Sequence, residues 1–336
     1  MSILKQTVGV DVSMNTLDVR FGTTDTNQQI VLSSSKSFAN ALAGFKQLLK
    51  WVRKSIISTD IPLIFVMEAT GVYYERFAHF LVENNFAVAV VLPNKIKNYT
   101  KSLESKSKTD PLDAAAITRF GLERQLKPWT PTTESLKALH NFCREYRALK
   151  STMTEIKNQR HALTSSFDPQ KQSLKRKNQL LKFLERQVED IEQELHNIVD
   201  ADPDLSGRVE NIVSAKGLGF ITVVCVLAET RCFEYVTKQK QLASYAGFDI
   251  IFNDSGMKKG KTSISKRGNK FLRNAVFMPA LSAIRHNPQL KEFYNRLVDK
   301  GKNKKLALIA VARKLLLLIY TLWKNNAVYD PNYKTV

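Results

Sequence analysis

The sequence is short of several things that would settle its class quickly. It has three cysteines in 336 residues. Cys143, Cys225 and Cys232 make neither a CxxC pair nor a metal-finger spacing, which excludes a disulfide framework and points to a reducing interior. The histidines, His79, His140, His161, His196 and His286, are scattered, and no HxH or HExxH spacing supports a zinc site. No GxxxxGK[ST] stretch supports work through a P-loop. The N-terminal stretch is too short and too polar for an export signal. The most apolar run, 306–322, is interrupted by Arg313 and Lys314, so it reads as a core helix and not a membrane span. The expectation is a soluble, cytoplasmic protein with no membrane partner.

Acid is scarce relative to base. Lys plus Arg is 51 against 31 for Asp plus Glu, a net charge of +20. Such an excess fits a polyanion, whose counterions basic side chains release, with an anionic membrane surface as the weaker alternative. The hydrophobic share of 43% and charged share of 24% are ordinary and exclude general disorder. The length suits about two domains of ~150 residues.

Residues 1–130 read as α/β. Short apolar or alternating runs at 7–12, 17–21 and 29–32 predict strands. Leu42, Phe45, Leu48, Leu49 and Val52 recur at helical spacing. Strands at 63–67 and 87–92 then alternate with helices at 73–83 and 110–124, which predicts a mixed sheet covered by helices. Residues 131–200 differ. Leu139, Cys143, Tyr146, Leu149, Met153, Ile156 and Leu163 mark one long helix, and a turn at 165–169 breaks it. Leu174, Leu181, Leu184, Val188, Ile191, Leu195 and Ile198 mark a second, with Lys177 the polar position of an a/d seam. The pair predicts a long antiparallel helical hairpin, a coiled coil, packed on itself or serving as a dimerisation arm, with the arm favoured. Residues 201–336 predict a mainly helical domain. It holds a Gly-rich turn at 216–219, helices at 221–228, 238–246, 271–284, 290–298 and 306–323, and a basic, turn-rich segment at 253–270.

Four acids could do chemistry. Asp11 lies late in the first strand and Glu68 ends the strand at 63–67. Asp110 and Asp113 are three apart on one helix, near one face. Grouped carboxylates suit Mg²⁺, a hard cation that serves phosphoryl transfer. Ordinary roles compete: Asp110 fits an N-cap with Pro111 at the first helical position, Asp113 suits the helix dipole, Asp11 could cap a turn, and Glu68 could pair with an arginine. Spacing alone favours these ordinary roles. Ser255 sits in an Asn-Asp-Ser-Gly turn, itself ordinary turn chemistry. Lys258, Lys259, Lys261, Lys266, Arg267, Lys270 and Arg273 follow with no acid between Ser255 and Arg273, a pattern that favours a phosphate clamp over a solvated face. A serine beside such a clamp could attack phosphorus. Gly217 and Gly219 resemble the turn of a helix-hairpin-helix, where backbone N–H groups meet phosphate, though close helix packing explains them as well. Lys95, Lys97, Tyr99 and Lys101 form a basic-aromatic stretch that suits either a nucleic-acid contact or a solvated loop.

Taken together, the motifs VGVDVSMNTLDV, MEATGVYYE and SKTDPLDAAAI resemble the N-terminal half of the DEDD transposases of the insertion-sequence-110 family. KGLGFITVVCVLAE, LASYAGF, NDSG and SISKRGNKFLRNAVFMPAL resemble its C-terminal half, and the pilin-gene invertases share these motifs. The resemblance implies an RNase-H/RuvC-like domain at 1–130, with Asp11, Glu68, Asp110 and Asp113 as metal ligands for Mg²⁺, or Mn²⁺ as substitute. It implies a C-terminal transposase domain at 201–336 with Ser255 as nucleophile. It further implies a bacterial, nucleoid-associated recombinase acting on donor and target DNA, guided by a structured bridge RNA, and working as a homodimer that pairs into a tetramer. Two departures stand out: Lys216 replaces a common proline, and Asp254 replaces a common glutamate before the serine. The expectation is a DNA recombinase that cuts and rejoins strands through a serine–DNA intermediate. The alternatives are a site-specific invertase without guide RNA and a RuvC-like metal-dependent nuclease.

Overall fold

The computed structural model describes residues 2–103, 110–251 and 262–332, with residues 110–112 described by backbone alone. The chain divides into two compact units, Met1–Pro131 and Thr132–Val336.

The first unit is a mixed sheet with helices on both faces. Its elements are β1 (Ile3–Val12), β2 (Thr16–Asp25), β3 (Ile30–Leu32), β4 (Lys36–Ala39), α1 (Leu42–Ser55), β5 (Leu63–Glu68), α2 (Glu75–Glu83), β6 (Ala87–Val91), α3 (Pro93–Ser102) and α4 (Asp110–Glu123). The strand order is β3-β2-β1-β5-β6, with β4 also paired to β2. β1 to β4 pair antiparallel, whereas β1, β5 and β6 are parallel. The mixed α/β architecture expected for this region is therefore present. Two elements differ from the sequence reading. β4 is too short and polar to announce itself. The basic-aromatic stretch at 95–101 is helix α3, with Pro93 in its first turn, and Tyr99 is buried edge-on against Phe120.

Alternation along β1 assigns its faces. Val8, Val10 and Val12 turn one way, into a core with Val19, Phe65, Met67 and the apolar sides of α1 and α2. Phe65 and Phe77 are fully buried there, each contributing about 1.5–3 kcal/mol of burial. Thr7, Gly9 and Asp11 turn the other way, toward α4. A Cβ at Gly9 would collide with the backbone of Thr118 and come within 2.8 Å of the Ala114 carbonyl oxygen. One at Gly121 would lie 2.6 Å from Thr7 Cγ2 and 2.8 Å from Val66 Cγ2. Glycine on both surfaces lets α4 lie almost on the sheet backbone.

The second unit is mainly helical, as the sequence predicts. Its elements are α5 (Glu134–Thr164), α6 (Lys171–Asp200), α7 (Pro203–Val213), α8 (Phe220–Thr230), α9 (Gln239–Tyr245), β7 (Ile250–Ile251), β8 (Ser263–Ile264), α10 (Lys270–His286), α11 (Pro288–Asp299) and α12 (Lys304–Asn325). α5 and α6 pack along one another as a hairpin. The α6 seam residues Leu181, Leu184 and Val188 are buried with Met153 and Ile156 of α5. Lys177, the polar seam position, donates to Gln159 across the hairpin. Farther from the turn, Leu139, Cys143, Ile191 and Leu195 merge into the unit's main core. The seam is thus covered within the chain. α12 is long and apolar enough to cross a membrane, but half of its apolar stretch is buried, and Val311, Leu315 and Ile319 lie in that same core. Among the described residues the three cysteines are free. The Cys143 thiol is pushed up by its hydrogen bond with Cys225 and by burial.

Candidate active site

The sheet register decides where the acids of the first unit fall. Gly9 pairs with Val66 and Val10 with Met67 in the parallel β1–β5 pair. Asp11 and Glu68 are the next residues on each strand, so they are neighbours at the same strand ends and on the same face. That face is α4's, because Gly9 and Val66 both meet α4. The helix runs opposite to β1. Lys5, near the start of β1, donates from Nζ to the carbonyls of Leu122 and Arg124 at 3.0 and 3.3 Å. Ala114, near the other end of α4, lies against Gly9. α4 therefore begins at the sheet end where Asp11 and Glu68 stand. Its first residue is Asp110, and Asp113 is in its first turn. Thr118 fixes the helix by donating to the carbonyls of Ala114 and Arg20 at 2.7 and 3.2 Å. Thr70 Oγ1 reaches Glu68 Oε1 at 3.5 Å.

One more acid belongs to this place. Asp18 is the direct cross-strand partner of Asp11 and shares its face. The alternation at 17–21 could have revealed it, since Leu17 and Val19 point to the core and Asp18 away. Carboxylates are the hard donors that a divalent cation takes. Among the described residues, however, no group of three or more His, Cys, Asp or Glu side chains could hold a metal ion as arranged. The backbone collects these acids at one end of the sheet; Asp110's side chain lies outside the described residues.

Ser255, with Lys258, Lys259 and Lys261, also lies outside the described residues. These positions fall between β7 and β8, which pair antiparallel. Ser265 closes the hairpin base by donating to Asp249 Oδ1 at 2.7 Å. Lys266, Arg267 and Lys270 are exposed, whereas Arg273 is half-buried and donates to the Ala246 carbonyl at 2.7 Å. Gly217 has φ +102°, and a Cβ there would lie 2.7 Å from Ala283 Cα of α10; Gly219 faces open space as the N-cap of α8.

The basic segment leads into α10, whose start is held by a network that sequence reasoning did not find. Asn269 caps α10 by accepting from the N–H groups of Phe271 and Leu272. Its side-chain amide donates to Glu229 Oε2 at 2.6 Å. Arg144 grips the same carboxylate twice, at 2.5 and 3.0 Å, and its guanidinium lies 3.6 Å from the centre of the Phe271 ring. His140 Nε2 is 3.8 Å from Glu229 Oε1. Burial pushes the Glu229 carboxyl up, but the hydrogen bonds from Arg144 and Asn269 and the Arg144 charge outweigh it and hold it below the usual range. Burial lowers His140 by more than Glu229 raises it. An acid ending an otherwise apolar helix was a signal that a cation must meet it. The cation's identity was not legible, because Arg144 and Glu229 are 85 residues apart.

Comparison with known proteins gives the chain a family. A transposase family model of the IS110 DEDD type matches residues 8–169, and that of the IS116/IS110/IS902 transposase family matches residues 209–295. The pilin gene-inverting protein of Moraxella lacunata is 29% identical over 97% of this chain and 98% of its own length. The transposase for insertion sequence element IS1111A of Coxiella burnetii is 27% identical over 42% of this chain and 39% of its own length. Among solved structures, T. thermophilus RuvC in complex with a Holliday junction substrate matches 37% of this chain and 99% of its own, with 11% identity and a TM-score of 0.28, too low to carry weight. Two family models in sequence order, with a homologue aligned end to end, make this chain a member of the IS110 family of transposases, enzymes that cut and rejoin DNA.

Proposed function

We propose that the chain is an Mg²⁺-dependent DNA recombinase of an insertion sequence, joining strands through a covalent serine–DNA intermediate. Residues 1–130 act as an RNase-H/RuvC-like domain, 131–200 as a coiled-coil hairpin, and 201–336 as the transposase domain. Asp11, Glu68, Asp110 and Asp113 would hold Mg²⁺, with Mn²⁺ as a substitute; when bound, the ion would polarise the scissile phosphate. Ser255 Oγ attacks phosphorus. The Oγ–P bond forms, the bond from phosphorus to one deoxyribose oxygen breaks, and the serine proton ends on the departing hydroxyl. The phosphoester conserves the bond, so rejoining needs no ATP. Lys258, Lys259, Lys261, Lys266, Arg267 and Lys270 position the DNA backbone, Arg273 braces their segment, and the Gly217–Gly219 turn meets a phosphate. A structured guide RNA pairs with donor and target, and two dimers assemble into the working tetramer.

The observation that carries this reading is the shared sheet end of Asp11, Glu68 and the start of α4. The test is a labelled DNA site incubated with the full chain and Mg²⁺, then denatured. Wild type yields a protein–DNA adduct, Ser255→Ala yields none, and Asp11→Asn yields little. An adduct formed by Ser255→Ala overturns the serine assignment. End-to-end similarity to a pilin gene-inverting protein supports a second reading, inversion of a DNA segment, which on this reading proceeds without guide RNA. Sequencing nucleic acid that copurifies with the chain separates the two: a discrete structured RNA supports guidance, and its absence supports the invertase.

A further inference from the structure

The α5–α6 hairpin is polarised by charge. Between residues 156 and 184 it carries Lys157, Arg160, Lys171, Lys175, Arg176, Lys177 and Lys182 against Asp168 alone. From Glu189 to Asp200 the order reverses, with Glu189, Asp190, Glu192, Glu194 and Asp200 and no lysine or arginine. This ordering works against α6 as an isolated helix. The macrodipole favours acid in the first turn and base in the last, yet the first turn has no acid and the last no base. Nor does the fold neutralise the tip. Among the described residues none of its seven cations is in an ion pair. Lys177, Arg160 and Arg176 reach only the neutral oxygens of Gln159, Asn178 and Ser173.

The exposed cations form a line. Lys171, Lys175, Asn178 and Lys182 stand at i, i+4, i+7 and i+11 of α6, on one face. With Leu174 and Gln179 they line a shallow open groove. From Lys171 to Lys182 the face is about 16 Å long, close to five nucleotides of one B-form strand. The large exposed apolar side chains at this end are Phe167, Leu180 and Phe183. Leu180 and Phe183 each follow the lysine row's Asn178 and Lys182 by one or two residues and so stand beside it on α6, not in it.

We infer that the lysine row of the hairpin tip, Lys171–Lys175–Lys182, is a sequence-independent docking surface for the phosphate backbone of duplex DNA. It lies far along the chain from the basic segment that follows Ser255. The inference rests on reading the chain as a DNA recombinase. A phosphate strand beside the start of α6 would neutralise the row and meet the helix dipole with the favourable sign. The tip would hold DNA without reading its sequence.

The test uses the full chain and a 5′-labelled random-sequence duplex of about 30 base pairs, with affinity measured across a salt series. The triple variant Lys171→Gln, Lys175→Gln, Lys182→Gln keeps helix-forming side chains at exposed positions. Its slope of log affinity against log salt should fall by about 2.7 relative to wild type, 0.9 for each phosphate that is no longer neutralised. Circular dichroism and sedimentation mass should not change. An unaltered slope, with wild type binding the duplex, overturns this docking surface and leaves the recombinase reading standing. Wild type that binds no duplex at any salt overturns both. A change in mass without a change in slope assigns the row to a second copy of the chain. A slope change seen with an RNA duplex and not with DNA assigns it to RNA. Either outcome overturns the inference as stated.

Discussion

The two units treat acid in opposite ways. In the second, Glu229 is buried and met by Arg144 and Asn269 from the same unit. That carboxylate closes a network and fixes the start of α10. In the first, the register sets Asp11 beside Asp18, and the parallel pairing sets Glu68 at the next strand end. There the sheet collects acid next to acid, and α4 adds Asp113 from above. An answered carboxylate is a structural part. Carboxylates gathered at one sheet end raise the local negative potential, which cationic groups of the chain or of its surroundings would offset.

Four substitutions or conditions put that contrast under strain. The largest expected effect is on chemistry: Asp11→Asn should lower strand joining roughly 10³-fold. Its urea unfolding should stay a single cooperative transition, so that the loss is one of chemistry and not of fold. A normal joining rate in a gel assay would end the contrast. Next, Glu229→Gln should destabilise the second unit by about 1–3 kcal/mol, because it removes the charge from a buried acceptor of Arg144 and Asn269, while Arg144, half-exposed, keeps part of its hydration. Urea unfolding followed by tryptophan fluorescence measures this, and Glu229→Leu with Arg144→Met should be milder than either single change.

Third, Gly9→Ala should cost about 1–3 kcal/mol by driving α4 off the sheet. It should also reduce joining, because α4 carries Asp113. Gly219→Ala is the control for space: nothing lies within 4 Å of its Cβ, so the cost should be only that of a poorer N-cap for α8, about 0.5–1 kcal/mol. If the turn meets phosphate, the same variant should weaken DNA binding. The smallest effect is acid sensitivity. Glu229's folded value lies below its unfolded one, so its contribution is full above the unfolded value of about 4.3 and is lost as pH falls through the folded value. His140 is also held low, so its protonation on acidification favours the unfolded chain. Melting temperature should therefore decline from pH 7 downward, most steeply below about pH 4.3. In Glu229→Gln the steep part should flatten.

Much of the fold was legible because its signals are local. Alternation marks β2, compact apolar runs mark β1 and β5, three-four spacing marks α5 and α6, and Pro203 after Asp202 marks the start of α7. β4 was not legible, because a four-residue polar strand exists only through its pairing with β2. Helix α3 was not legible either, since the packing of Tyr99 on Phe120 lies outside any local window. Asp11 and Glu68 could be picked out as acids at strand ends. That they share a face with each other and with the start of α4 could not, because pairing between β1 and β5 is a matter of register.

The sequence by itself determined most of the element types, the basic character, the three-four apolar spacing of α6 and the motifs of the IS110 transposase family. Hydrophobic period, charge and motif order are properties of short stretches and need no partner to be read. Only the tertiary structure decided which acids stand together, that the α6 seam is covered by α5, and that Glu229 belongs to Arg144. Those pairings join residues far apart in the chain, and their free energy exists only once a sheet register or a helix crossing brings the two surfaces into contact.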